Sequence, residues 1–130
     1  MRTDPAAVLH AFLTSVEELR GVMVSGSMVG RKKGQASLII DCSGGYRTVR
    51  DRCDRAEITI HAYHSTQSET ARLAFTAREQ LLERLPGRVA GGALVLDVAE
   101  VHMPFPLVDE TSGEFRYVHA VALYLTEASV

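Results

Sequence analysis

The chain has 130 residues, of which 46% are hydrophobic and 23% charged, and its formal net charge at pH 7 is −2. This length predicts one domain, spanning residues 1–130, that buries roughly two-thirds of its unfolded surface. The slight acidic balance disfavours sequence-specific DNA binding, which usually requires a basic excess. The sequence has no apolar run of the ~18 residues that a membrane span needs and no signal-peptide pattern at its start, so we expect neither feature.

The first predicted element is an amphipathic helix that ends near Arg20. Asp4 is a good N-cap, and Pro5 suits the first position of a helix. Apolar residues then recur every three or four positions as far as Leu19, and Gly21 suits the position just after a helix.

Two strands are predicted next, at residues 22–25 and 37–41, joined as a hairpin. The link between them carries a charged segment bracketed by glycines, Gly30–Gly34, which we interpret as a hairpin tip or a mobile loop. Its cations form either a solvated surface or a weak contact with phosphate or an acidic partner. These cations are Arg31, Lys32 and Lys33.

A second charged segment follows, because the glycines of residues 43–45 are expected to break the second strand. Its arginines are interleaved with Asp51 and Asp54, which favours pairing within the chain or across a subunit boundary over DNA binding. They are Arg47, Arg50, Arg52 and Arg55. We interpret Cys42 and Cys53 as reduced, partly buried thiols, although a disulfide across a hairpin is geometrically possible.

A strand over residues 56–64 is the clearest alternating segment, with Ile58, Ile60 and Ala62 facing the core and a polar opposite face. A helix from about residue 69 to 85 follows, with Thr66 or Ser68 as its N-cap. Its predicted buried side consists of Ala71, Ala74, Phe75, Arg78, Leu81, Leu82 and Leu85, with Arg78 at the edge.

The C-terminal third predicts a strand at residues 93–102, a loop at 104–115 and a final strand at 116–126. Asp109 heads a turn in which its side chain accepts backbone N–H groups, and Gly113 supplies the positive φ. Arg116 could pair with Asp109 or Glu110, or with a carboxylate of a neighbouring subunit.

The order α-β-β-β-α-β-β predicts an α+β domain: a mixed, mostly antiparallel sheet with two helices packed on one face. The sequence contains no nucleophile motif and no phosphate-binding loop. His61 and His64 point to opposite faces of a strand, whereas His102 and His119 could meet across the sheet. We therefore expect no catalytic, cofactor-binding or metal site, and a protein that is not an enzyme.

The C-terminal pattern resembles the end of tail terminator proteins from long-tailed bacteriophages. The resemblance lies in a Pro-rich approach (Pro104, Pro106), the Asp109–Gly113 turn, and Arg116-Tyr117 at the start of an apolar strand. The strand 58–63 followed by the Ala-rich helix 70–85 is a second point of likeness. The chain departs from the family pattern at His61 and His64, where an aromatic or small residue is expected.

This resemblance implies a hexameric ring that caps the finished tail tube, stops tube polymerisation and provides the surface that joins the head connector. Genome DNA then passes through the ring without specific binding, and the protein resides in the virion after assembly in the host cytoplasm. The implied partners are other copies of the chain, the tail tube protein and the connector protein, with no cofactor and no membrane.

Two alternatives remain open: another phage neck or head-closure component, and a small α+β binding module or enzyme. The oligomeric state distinguishes the ring from the binding module or enzyme. For the ring, the expected interface lies on the loops. Its residues are Arg31, Lys32, Lys33, Arg47, Arg50, Arg52, Asp109, Glu110, Arg116 and Tyr117.

Overall fold

A computed structural model describes residues 3–50 and 52–128 and has the predicted α+β fold, with a six-stranded sheet in the order β1-β2-β3-β6-β5-β4. Strands β1 and β2 are parallel and all other neighbours antiparallel. Asp51 lies outside the described residues. The elements are α1 (Pro5–Ser15), a 3₁₀ turn (Glu17–Leu19), β1 (Met23–Ser25), β2 (Ser37–Val49), β3 (Cys53–Tyr63), α2 (Gln67–Glu83), β4 (Val89–Ala90), β5 (Ala93–Val108) and β6 (Phe115–Glu127).

Both helices pack on the same face of the sheet and share one hydrophobic core. The three β3 residues predicted to face the core are all fully buried. The structure therefore confirms the fold class and the order of the predicted helices and strands, and adds the two-residue strand β4, which forms a Gly91-Gly92 hairpin with β5.

Helix α1 ends at Ser15, five residues before its predicted end. The hydroxyl of Thr14 donates to the His10 carbonyl at 2.7 Å, and that of Ser15 donates to the Phe12 carbonyl at 2.6 Å. Such side-chain bonds compete with helix continuation. Val16 then turns extended (φ −79°, ψ 123°), and a separate 3₁₀ turn carries the apolar pattern on to Leu19.

The predicted hairpin between the first two strands is wrong, because β1 and β2 run parallel, with Val24 opposite Leu38. The antiparallel partner of β2 is β3 instead. Two neighbouring parallel strands need a connection that leads from the end of the first strand back to the start of the second. Residues 26–36 form this connection. This connection, here called the crossover loop, therefore lies across one end of the sheet.

Strand β2 does not break at its glycines but continues to Val49, with a bulge between Cys42 and Gly44. Gly45 has φ +145°, and a Cβ there would lie 2.1 Å from the Arg55 carbonyl oxygen on β3. The glycine is therefore required by close approach of two backbones, and the segment read as an irregular loop forms the β2–β3 hairpin.

We expect Gly45→Ala to destabilise the protein by more than the about 1–3 kcal/mol that a strained backbone conformation alone costs. Gly44→Ala is the matched control, because Gly44 also has a positive φ (+122°) but no atom within 4 Å of its Cβ position. Urea unfolding of both variants would measure the difference. Equal losses would mean that the contact with β3 relaxes without cost.

Strand β5 runs to Val108, six residues beyond its predicted end, and so includes Pro104 and Pro106. Within the described residues β4 pairs with β5 only at positions 93–94, which leaves the outer edge of β5 free beyond that point. Proline is tolerated on such an edge because no ladder hydrogen bond is lost there. The predicted loop 104–115 is accordingly reduced to the turn Asp109–Glu114.

The buried side of α2 is rotated from its predicted position. Phe75 is 38% exposed, and Arg78 forms two hydrogen bonds with Glu100 of β5 at the rim of the sheet. The helix begins at Gln67, with the Thr66 hydroxyl accepting from the Glu69 N–H at 3.2 Å. The residues that it buries are Thr70, Leu73, Ala74, Ala77, Gln80 and Leu81.

Candidate assembly surfaces

A buried ion pair joins the crossover loop to the β5–β6 turn. The side chains of Arg31 and Glu114 are 2% and 6% exposed, and two hydrogen bonds of 2.9 and 3.0 Å link them. Arg31 also donates to the Ser37 hydroxyl at 2.8 Å and to the Gln35 carbonyl at 2.9 Å. Its guanidinium lies 4.5 Å from the centre of the Tyr63 ring.

The hydrogen bonds from Arg31 hold the pKa of Glu114 below its usual range, and the Gly34 N–H donates to the same carboxylate at 3.0 Å. The crossover loop is therefore tied to the turn, which corrects the interpretation of residues 30–34 as a hairpin tip or mobile loop. Arg31 was also assigned to an interface, but its side chain is enclosed within the chain. The neighbouring Lys32 and Lys33 are exposed, as that assignment requires.

The turn headed by Asp109 has the predicted form. Its carboxylate accepts from the Thr111 N–H at 2.9 Å, and its carbonyl accepts from the N–H of Gly113, which has φ +75°. The Tyr63 hydroxyl donates to the other carboxylate oxygen at 2.9 Å, and this hydrogen bond is the main cause of the lowered pKa of Asp109. Glu110 is exposed at the tip of the turn.

Arg116 lies on the sheet face opposite the helices, across from Tyr63 on β3. In the described part of the chain it forms no ion pair within 4 Å with Asp109 or Glu110, and its buried Nε has no hydrogen-bond partner. The buried Nδ1 of His61, on the same face, also lacks a partner, whereas its Nε2 lies 2.9 Å from Asp41. Tyr117 is half-buried against the core, so it contributes to packing rather than to an exposed contact.

Local partners account for two of the hairpin arginines. Arg47 contacts Asp54 at 2.8 Å, and Arg55 contacts Glu57 at 3.0 Å and the Tyr124 hydroxyl at 3.3 Å. Arg50 and Arg52 are exposed at the tip of the hairpin. The structure thus separates locally paired arginines from two that face solvent.

The outer edge of β5 carries the largest group of exposed apolar side chains, which the sequence analysis did not identify. Val101, Met103, Phe105 and Leu107 are 43–52% exposed. Their spacing of two residues is itself a strand signal, but the intervening prolines favoured a loop. Leu96, Val108 and Phe115 are also exposed, with 44–49% of each side chain accessible.

Of the two histidines expected to meet across the sheet, His102 lies opposite Ala120, and its charge is the second cause of the lowered pKa of His119. His119 is fully buried on the helix-covered side, both of its ring nitrogens lack partners, and burial lowers its pKa to about 4. Among residues 3–50 and 52–128, no three His, Cys, Asp or Glu side chains gather so as to hold a metal ion.

Cys42 and Cys53 are free thiols, and Cys42 is exposed rather than partly buried. It lies on β2 just beyond the residues that β1 covers. Its exposure follows from that position, because within the described residues no strand pairs with the outer edge of β2 beyond Ile39.

No helix in the described residues is long and apolar enough to cross a membrane. Scans of the sequence against protein-family models and against curated proteins find no match for this chain.

Proposed function

We propose that this protein is a phage tail terminator, a ring-forming structural protein that caps the tail tube and provides the surface for head joining. Its action would be steric and would require no bond chemistry. The proposal extends the resemblance carried by the Asp109 turn and the strand that follows it.

The observation that carries the proposal is the exposed apolar edge of β5. Isolated soluble proteins rarely expose contiguous apolar surface of this kind, and such surfaces mark contacts with other proteins. A long free edge strand also offers backbone groups for pairing with a second chain. Both properties favour an assembly subunit.

The charge of the chain fits a conduit for DNA that does not grip it. Six copies would carry a total charge of about −12, which repels phosphates and keeps the passing strand mobile. In this role the protein would reside in the virion.

Deleting the gene from its phage is the direct test. We expect tails of uncontrolled, greater length that do not join heads, and we expect a plasmid copy of the gene to restore uniform length. Electron microscopy of the particles measures both features. Uniform tails of normal length that fail to join heads would instead identify a neck component, and normal infectious particles would exclude both roles.

A further inference from the structure

We infer that neighbouring subunits join edge to edge, with β2 of one copy pairing antiparallel to β5 of the next. The inference rests on the proposed ring and names the surfaces that form it. The two partners are different edges of the same chain, so the contact is head-to-tail. Such contacts close into rings when the rotation between subunits permits.

The register of the sheet places the two free edges at the same height. Reading across β2, β3, β6 and β5, Cys42 aligns with Ile58, Val121 and Glu100. In the same way Tyr46 aligns with Asp97. Residues 41–47 of β2 and 95–102 of β5 are therefore level with each other, and both lie beyond the cover of the short strands β1 and β4.

The directions of the strands also match. Within one subunit β2 and β5 run in opposite directions. The reason is that β2–β3, β3–β6 and β6–β5 are all antiparallel, and three reversals of direction leave β5 opposite to β2. Rotation about an axis along the strands preserves these directions. It brings β2 of one copy antiparallel to β5 of the next, so that the ladder continues across the boundary.

The two edges have opposite charge. Residues 44–55 contain four arginines and two aspartates, whereas residues 93–112 contain four carboxylates and no lysine or arginine, although Arg78 of α2 pairs with Glu100. Arg47 lies one position beyond Tyr46, the residue level with Asp97, whereas Arg50 and Arg52 lie further along at the hairpin tip. A contact between two β5 edges would place carboxylates against carboxylates, so charge complementarity favours the pairing of β2 with β5.

Apolar side chains on both edges would be buried by this contact. Tyr46 and Val49 on β2 are 62% and 48% exposed, and Leu96 and Val101 on β5 are 49% and 45% exposed. Each edge thus combines exposed apolar side chains with charges that suit the other.

Cross-linking of assembled tails tests the pairing. In a Cys53→Ser background, Val101→Cys places a thiol on β5 next to Glu100, the residue level with the native Cys42 of β2. With a short bis-maleimide we expect a ladder that extends beyond the dimer to the closed ring. The same chain with Cys42→Ser should lose the ladder. A chain with Glu83→Cys on α2 in place of Val101→Cys should also give no ladder.

The outcomes separate the two proposals. A ring on the tail tube that gives no ladder from Cys42 and Val101→Cys overturns the edge pairing while the terminator function stands. Cross-linked dimers that persist after Cys42→Ser indicate β5–β5 contact and also overturn it. Normal tails in the gene deletion defeat the terminator function itself.

Charge reversal provides a second measurement. Arg47→Glu should weaken subunit association roughly tenfold, because a like charge then lies beside Asp97. Adding Asp97→Lys should recover part of the loss. The matched control reverses Arg72, whose side chain is 75% exposed on the helix side, and should leave association unchanged. An equal loss in the control, or no recovery, would contradict the assigned contact.

Discussion

Replacing Arg31 with alanine is expected to destabilise the protein by about 3–5 kcal/mol, because it leaves the Glu114 carboxylate buried without its partner. The matched control is Arg47→Ala, which removes a partner of Asp54. This pair is open to solvent, since the arginine and aspartate side chains are 41% and 29% exposed. That loss should be about 0–1 kcal/mol. Urea unfolding near pH 7 measures both.

The double variant Arg31→Met, Glu114→Leu separates the unpaired charge from lost packing. Apolar replacement of a buried pair is often neutral, so the double variant should recover most of the stability that Arg31→Ala loses. If it is as unstable as the single variant, the ion pair acts through shape and its further bonds to Ser37 and Gln35 rather than through charge.

Acidification is expected to cost about 3 kcal/mol through His119 between pH 6.5 and pH 4, at 1.36 kcal/mol per pKa unit. In the folded state the pKa of His119 falls from 6.5 to about 4, mainly through burial and then through His102. The unfolded chain binds the proton first, so full stability is present above pH 6.5 and declines as pH falls to the folded pKa.

Other groups add to this dependence in known directions. Burial also lowers the pKa of His61, which extends the loss over the upper part of the same window. The lowered pKa values of Glu100, Asp109 and Glu114 act in the acidic range, where protonation removes their hydrogen-bonded stabilisation. The loss above pH 4.5 therefore reports mainly on histidine.

His119→Leu tests this assignment, because leucine fills the buried site and does not titrate. We expect the melting temperature of the variant to exceed that of wild type at pH 4.5 and to vary less between pH 6.5 and 4.5. His10→Leu is the control at an exposed position and should retain the wild-type fall in melting temperature. An unchanged pH profile in His119→Leu would place the acid sensitivity elsewhere.

Local patterns predicted the fold class because the signals at each element agree. Asp4-Pro5 begins α1, the alternation around Ile60 gives β3, and the turn chemistry of Asp109 and Gly113 forms as expected. These features depend on residues that are close in sequence, so they can be recognised in a single amino-acid sequence.

The errors involve contacts between distant residues. Arg31 reads as a loop cation until Glu114, 83 positions later, is placed beside it. Gly45 reads as a strand breaker unless the close approach of β3 is known. Pro104 and Pro106 indicated a loop because only the sheet order shows that β5 has a free edge. The candidate surface was missed for the same reason.

The two prolines of β5 have a consequence for the solubility of the free chain. An open edge with exposed apolar side chains is a template for runaway stacking of strands, the route to insoluble aggregates. Proline has no N–H to donate, so a foreign strand advancing along this edge cannot form a continuous ladder past residue 103. The prolines therefore limit uncontrolled strand pairing to the part of the edge before residue 104.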